Sequence, residues 1–372
     1  KKYIILSIIV LVLLITFVTS FNYFKTSNNY VEDSVNNQTK IIKGISMNLE
    51  QTAGAGDYKT VTQSSWPTEG YKFNTELSRC ENGSTLSWDD SKKAVVMNGN
   101  VSDKCYVYFD KVLTLANYVI SQYTGIQGEN SLYYHDSNLA NGVGDNSYRY
   151  AGASDSVNNY ICLGSDAATC PDDNLFRIIG VFGAQTKVIR AKSVGNQKWD
   201  TSSSNKWSSS SLNTYLNGTY LTSLGTLKNK IATTTWKVGG GTPANISEVV
   251  PATAYKNEVG SSASRTIVNK KIGLMYVTDY YYSASPSAWT LVGYNSSDTT
   301  KDYRVAKTIN WLYLGSYEWT ISCHSGTSYS AFGVGNLGYV SGYFDVSTSS
   351  AVRPTFNLES SVKYVSGSGS MS

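Results

Sequence analysis

Behind Lys1 and Lys2 the chain opens with an apolar run from Tyr3 to Val18, which continues weakly through Phe21 and Phe24. The strict run falls short of the roughly 20 residues that cross a bilayer, but counting on to Phe24 reaches that length. The leading positive charges stay inside, so the pattern predicts a transmembrane signal anchor over 1–24 with the remainder outside, single-pass in the cell membrane. A signal peptide cleaved near Val18-Thr19-Ser20 is the alternative. Residues 25–45 are polar and Asn-rich, without period, and read as a stalk.

Alternation then begins. Tyr106-Val107-Tyr108-Phe109 and Ala94-Val95-Val96-Met97 read as strands, with Asn98-Gly99 as a hairpin turn between them. Trp66 and Trp88 offer core, so 46–112 is expected to be a small β module. Helical spacing first appears over 113–128, with Thr114 as N-cap, Leu115, Tyr118 and Val119 on one face, and a stop at Gly125. The large remainder, 129–372, mixes periods. Phe176–Phe182 and Thr186–Ala191 read as a hairpin. Ser211 caps a short helix carrying Leu212, Tyr215 and Leu216 that ends at Asn217-Gly218, and a second short helix carries Tyr220, Leu221, Leu224 and Leu227. The stretch 237–271 shows little pattern and reads as a long loop. Ile272–Val277, Glu318–Ser322 and Ala351–Leu358 read as late strands. Short strands, two short helices and long loops predict an α+β head.

Composition changes this picture in two ways. The 372 residues are 41% hydrophobic but only 16% charged, with Tyr 29 and Pro 6, so the surface dissolves through hydroxyls and amides. Such a surface suits glycan or protein partners, because Tyr joins a rigid apolar face to a polar tip. The net charge of +4 is spread thinly. No Lys/Arg stripe exists, which argues against nucleic acid.

Cysteine usage agrees with export. Cys80 with Cys105, and Cys162 with Cys170, are the local pairs among the three connectivities that four cysteines allow, and Cys323 is left over. Metal ligation lacks a pattern: no Cys-x-x-Cys occurs, and the histidines are His135 and His324. Asp136, Asn138, Asn141 and Asp145, and Asp172-Asp173, could approach calcium, yet they match no calcium-loop motif and read as turn residues. No metal and no cofactor is expected. Neither histidine sits near a Gly-x-Ser-x-Gly elbow, so no hydrolase triad is visible. The dense aromatics Tyr280, Tyr281, Tyr282 and Trp289, with Tyr148 and Tyr150, are the candidate ligand-binding residues, a stacking platform if exposed and core if not. Arg353, buried in an apolar strand, would want Glu318 or Asp279 as its carboxylate.

Several of these segments together resemble a known family. Asn174-Leu175-Phe176-Arg177-Ile178-Ile179-Gly180-Val181-Phe182, Trp199-Asp200, Trp207, Leu212 and Tyr215-Leu216-Asn217 are similar to the opening strand and helix of an uncharacterised surface-protein domain widespread in gut Firmicutes. Lys271–Val277, Glu318-Trp319-Thr320-Ile321 and Ala351-Val352-Arg353-Pro354 are similar to its central and closing strands. Residues 46–109 resemble the small module that often precedes it. That domain is related to the C-type-lectin-like and formylglycine-generating-enzyme-like folds, so the resemblance implies a C-type-lectin-like head over 129–372. Relatives continue past Gly367-Ser368-Gly369 into one more short strand, so the resemblance also implies that an edge strand is missing here. The enzymes among those relatives use paired cysteines, and no such pair is evident. The expectation is therefore a membrane-anchored, adhesin-like recognition protein, not an enzyme, for a glycan or for a host or neighbouring surface protein. A structural envelope protein is the alternative, and a formylglycine-generating-type enzyme or hydrolase is a further one.

Overall fold

The computed structural model describes residues 44–372 apart from 63–64, 68–69, 101, 166, 240, 261–265, 292–305, 366 and 371–372. The chain divides between Leu113 and Thr114 into two compact units.

In the first unit, β1 (Ile45–Glu50) lies between β2 (Tyr58–Val61) and β7 (Cys105–Lys111), parallel to β7, while β3 (Tyr71–Phe73) and β4 (Arg79–Cys80) pair with β7 on its other side. β7 alternates strictly. Cys105, Val107 and Phe109 are buried, with Tyr106, Tyr108 and Asp110 half-buried opposite them. That period of two gives one dry face, where Phe109 meets Phe73, Trp88 and Trp66 at ring separations of 5.8, 5.7 and 6.0 Å. A disulfide joins Cys80 to Cys105 across paired positions of β4 and β7. β5 (Thr85–Asp89) and β6 (Ala94–Asn98) form a separate hairpin. The expected turn at Asn98-Gly99 is thus corrected. β6 turns back on β5 through 90–93, and Gly99 instead packs its bare Cα against Ser84.

The second unit starts with α1 (Leu115–Ser121), whose N-cap Thr114 accepts the Asn117 N–H. Its main sheet runs β16 (Ile272–Gly273), β21 (Thr355–Asn357), β12 (Gln185–Arg190), β11 (Leu175–Phe182), β9 (Ser147–Tyr150), β8 (Leu132–His135), with β10 (Tyr160–Cys162) also on β11. A disulfide links Cys162 and Cys170. The second sheet runs β13 (Asn196–Lys198), β20 (Ser349–Ala351), β17 (Glu318–Cys323), β18 (Ser330–Val334), β19 (Val340–Asp345). β17 and β18 are buried at every position, so they read as continuous runs and not as alternation. At Gly180 the β11 backbone bulges and a Cβ would reach 2.2 Å from the Tyr148 carbonyl oxygen, so β9 can approach only a glycine there.

Helix is minor. Strand makes up 35% and helix 20%, so the α+β, C-type-lectin-like expectation gives way to a mostly β architecture. No helix among the described residues is long and apolar enough to cross a membrane. The expectation of a transmembrane helix and a single-pass cell-membrane placement is cut back accordingly: the segment 1–24 on which it rests lies outside the described residues, as does most of the 25–45 stalk. The stretch 237–271 is built, not bare. β14 (Thr234–Val238) pairs with β15 (Thr266–Lys270), and two short Pro-initiated helices, Pro243–Ile246 and Pro251–Glu258, lie between them. The helix over Ser211–Tyr215 is capped by Ser210, not Ser211, and passes Asn217-Gly218 through a π-type turn. The expected strand Ile272–Val277 stops at Gly273, and Val277–Tyr282 is helical (α2).

Two buried arginines hold the centre. Arg353 forks onto Glu318, Nε to Oε1 at 2.6 Å and Nη2 to Oε2 at 2.8 Å, and Nη2 also donates to the Leu312 carbonyl at 2.5 Å. Among the described residues Arg177 has no carboxylate partner. Its hydrogen bonds go to Asn159 Oδ1, Ser154 Oγ and the Val157 and Trp311 carbonyls, between the rings of Tyr160 and Trp311. Burial, with Arg353 adding repulsion, lowers it to about 10. Glu318→Gln removes the charge that compensates Arg353 and should cost about 3–5 kcal/mol in urea unfolding, whereas the apolar pair Glu318→Met/Arg353→Met should recover most of it. A loss under 1 kcal/mol in the single variant contradicts this account.

Candidate functional site

The second unit holds a cavity of about 450 Å³ between the 204–208 loop, the 323–328 turn, Val238-Gly239 and Thr266. Each wall is fixed from behind. Asp200, next to the fully buried Trp199, accepts the N–H groups of Ser202, Ser204 and Ser211 and so closes the 200–211 loop. Asn205 then clamps the opposite wall. Its Nδ2 donates to the His324, Thr327 and Ser330 carbonyls at 2.7, 2.7 and 2.8 Å. Trp207 lies against Trp199 at 4.9 Å, and Trp199 against Trp319 at 5.6 Å.

The inner surface is hydroxyl-rich: Ser204, Ser208, Ser325, Thr327 and Ser328 with Lys206. Among the described residues, three buried polar atoms of the lining side chains find no partner: Trp207 Nε1, His324 Nε2 and Thr327 Oγ1. The His324 Nδ1 accepts the Gly326 N–H at 2.8 Å, which leaves the proton of the neutral ring on Nε2. Burial depresses the imidazole from its usual value, so Nε2 is a neutral donor without an acceptor. The ring lies over Phe332 and beneath Tyr343, which is 65% exposed.

Cys323 is the free thiol, buried in the cavity wall. Burial pushes it up to about 12, against smaller opposing contributions from the Trp207 and Gly239 N–H groups. The thiol is protonated, the imidazole is neutral, and no carboxylate lines the cavity among the described residues. Neither an activated nucleophile nor an orienting acid is assembled there. The chemistry on offer is hydrogen bonding.

The platform expected from the aromatics is not formed. Tyr280, Tyr281, Tyr282 and Trp289 are buried. The hydroxyls reach the Gly338, Ile246 and Asn141 carbonyls, and the Trp289 indole N–H reaches the Ala284 carbonyl. They sit on α2 and the turn after it, where the core needs large rings with a polar tip. Tyr150 is also buried, and Tyr148 alone of the six is partly exposed, stacked on Tyr134 at 4.5 Å. The acidic turn residues are occupied too. Asp136 accepts the Asn138 and Leu139 N–H groups, Asp145 pairs with Arg149 at 2.6 Å, Asp172 pairs with Lys192, and Asp173 with Arg190. Among the described residues no group of three or more His, Cys, Asp or Glu converges as a metal site. The cavity residues themselves carried one signal in sequence: two Ser-rich runs, 201–211 and 322–330, that flank Trp207 and the lone Cys-His pair.

Residues 184–360 match the model of DUF6273, a domain of unknown function. No curated protein and no solved structure matches the chain.

Two outcomes follow from the buried groups. At pH 8 a thiol-specific disulfide reagent should leave the folded protein untouched and titrate one thiol in guanidinium, since a thiol near 12 is thiolate only on the order of 1 part in 10⁴. His135 is fully buried between Tyr282 and Trp289 and is held down to about 2, chiefly by burial and then by Arg149. Its unfolded form titrates near 6.5, so the unfolded chain binds the extra proton and stability is lost as pH falls. Between pH 7.5 and 5 this group should cost about 2 kcal/mol of unfolding free energy. Unfolding of His135→Gln across that range should show a shallower slope; an unchanged slope would contradict the assignment.

Proposed function

We propose that the chain is an adhesin-like recognition protein, not an enzyme, and that the cavity beside His324 receives a saccharide unit of a glycan. The observation that carries this reading is the pair of buried, unpartnered polar atoms, His324 Nε2 and Thr327 Oγ1, inside a hydroxyl-lined cavity. A buried donor without an acceptor costs about 1–3 kcal/mol, and a ligand oxygen removes that cost. Sugar hydroxyls donate and accept at once, which suits walls made of Ser, Thr and a neutral His. The volume falls in the usual range of small-ligand sites. The clamps at Asp200 and Asn205 hold the walls before the ligand arrives, which lowers the entropy lost on binding. The two disulfides fit a protein made for an oxidising compartment.

A protein ligand is the second reading. Tyr343 and Tyr329, 65% and 55% exposed, adjoin His324 and Ser328. Exposed tyrosines of this kind anchor protein partners.

The test is a glycan array probed with the full chain, followed by calorimetry on any hit. A saturable saccharide should lose about 3- to 10-fold in affinity with His324→Ala and a similar factor with Thr327→Val, one hydrogen bond each. A folded protein that binds no saccharide removes the glycan reading. A hit indifferent to both substitutions removes this cavity as its site.

A further inference from the structure

A second cluster of titratable groups lies away from that cavity and takes no part in the recognition reading. Lys187 on β12 and Asp279 in the first turn of α2 are 92 residues apart, 5% and 3% exposed, and in direct contact through Nζ and Oδ2. We propose that these two side chains are joined after folding by an intramolecular amide bond between Lys187 Nζ and Asp279 Cγ, with Glu258 as the proton carrier.

Three placements support it. The surroundings of the amine are aromatic: the Tyr276, Phe182 and Trp236 rings lie 4.6, 5.5 and 5.6 Å from Nζ. Those faces tolerate a cation, but among the described residues the carboxylate is the oxygen it is bonded to. Asp279 is pinned, because Oδ2 also accepts the Tyr276 N–H at 2.8 Å. Amine and carboxyl are thus held together by the fold, without water between them, which turns a two-body reaction into a one-body one. Glu258 is the third placement. It is buried, among the described residues no cation is bonded to it, and it accepts the Val277 N–H, the Thr278 N–H and hydroxyl, and the Ser322 hydroxyl. Those bonds fix it on the backbone directly before Asp279.

The remaining charged group nearby is Arg149, which acts on Lys187 and is itself paired to Asp145. Burial lowers Lys187 and raises Glu258, both toward the neutral forms the reaction needs. In the step, a proton passes from the ammonium to the Asp279 carboxylate, giving amine and acid. The nitrogen lone pair attacks Cγ and the C–N bond forms. A C–O bond breaks and that oxygen leaves as water, with Glu258 relaying the proton from nitrogen to oxygen and ending as it began. One amide and one water result, with no oxidant or activating group consumed. Two buried charges disappear, and the desolvation they carried disappears with them.

The test is the intact mass of the full chain under denaturing conditions. The expected mass lies below that of the sequence with two disulfides by one water. A protease digest should yield a branched peptide holding both Lys187 and Asp279. Lys187→Arg and Asp279→Ala should each restore the full mass, and Glu258→Gln should leave most chains unlinked. Wild-type protein at full mass overturns the proposal whatever the variants do, so the outcome does not depend on their folding. A water loss that persists in Asp279→Ala overturns it equally, and complete linkage in Glu258→Gln removes Glu258 from the step.

Discussion

Arg353 lies where the chain leaves β20 of one sheet and enters β21 of the other, and Glu318 opens β17 of the first of these. Both side chains are buried, so their two hydrogen bonds must be made in one geometry or a buried charge is left open. Pro354 follows at once and cannot donate to a ladder, which divides the closing segment into two short strands. Everything else in the second unit is compatible with that crossing. The third bond of Arg353, to the Leu312 carbonyl, brings in the 310–313 segment, whose Trp311 carbonyl and ring then complete the surroundings of Arg177.

The same logic explains the cavity. The buried carboxylates Glu258 and Asp200 are satisfied by the chain itself, with several donors each. His324 and Thr327 sit in a turn tied down by Asn205, yet His324 Nε2 and Thr327 Oγ1 are buried without a partner among the described residues. The neighbouring Cys323 is chemically quiet because the wall that excludes water also keeps the thiol protonated. Rigid walls with unspent hydrogen-bonding capacity are what a binding site requires, and a nucleophile poised for catalysis would require the opposite electrostatics.

Where the sequence carried local information, the fold was legible in it. β11 and β12 form the hairpin that the mostly apolar run of β11 and the short Gly-containing turn after it suggest. The need of a buried arginine for a carboxylate pointed to Glu318. The short spacings of Cys80 with Cys105 and Cys162 with Cys170 correspond to the two disulfides found. Where partners lie far apart, local signals misled. Asn98-Gly99 has hairpin chemistry, but the parallel pairing of β1 with β7 claims the strand that would have followed. Over 237–271 two strands and two helices are each too short to show a period. The cavity draws on segments more than a hundred residues apart, so only its two Ser-rich walls left a trace in the sequence.

Tyrosine was the most ambiguous signal, because the same ring serves a surface and a core. Here the hydroxyl decides. Tyr280, Tyr281 and Tyr282 each end on a carbonyl of a different remote segment: the 335–339 turn, the Pro243–Ile246 helix and the 139–142 turn. Tyr313 reaches the Asn336 carbonyl in the same manner, and Tyr276 accepts the Lys237 N–H. A phenylalanine core would give equal apolar burial and leave those backbone groups unpaired at the interior ends of loops. A chain with little charge and many long connections therefore gains from tyrosine twice, once in burial and once in pinning the connections. The loops around the His324 cavity are held by a different device, the Asp200 carboxylate and the Asn205 amide.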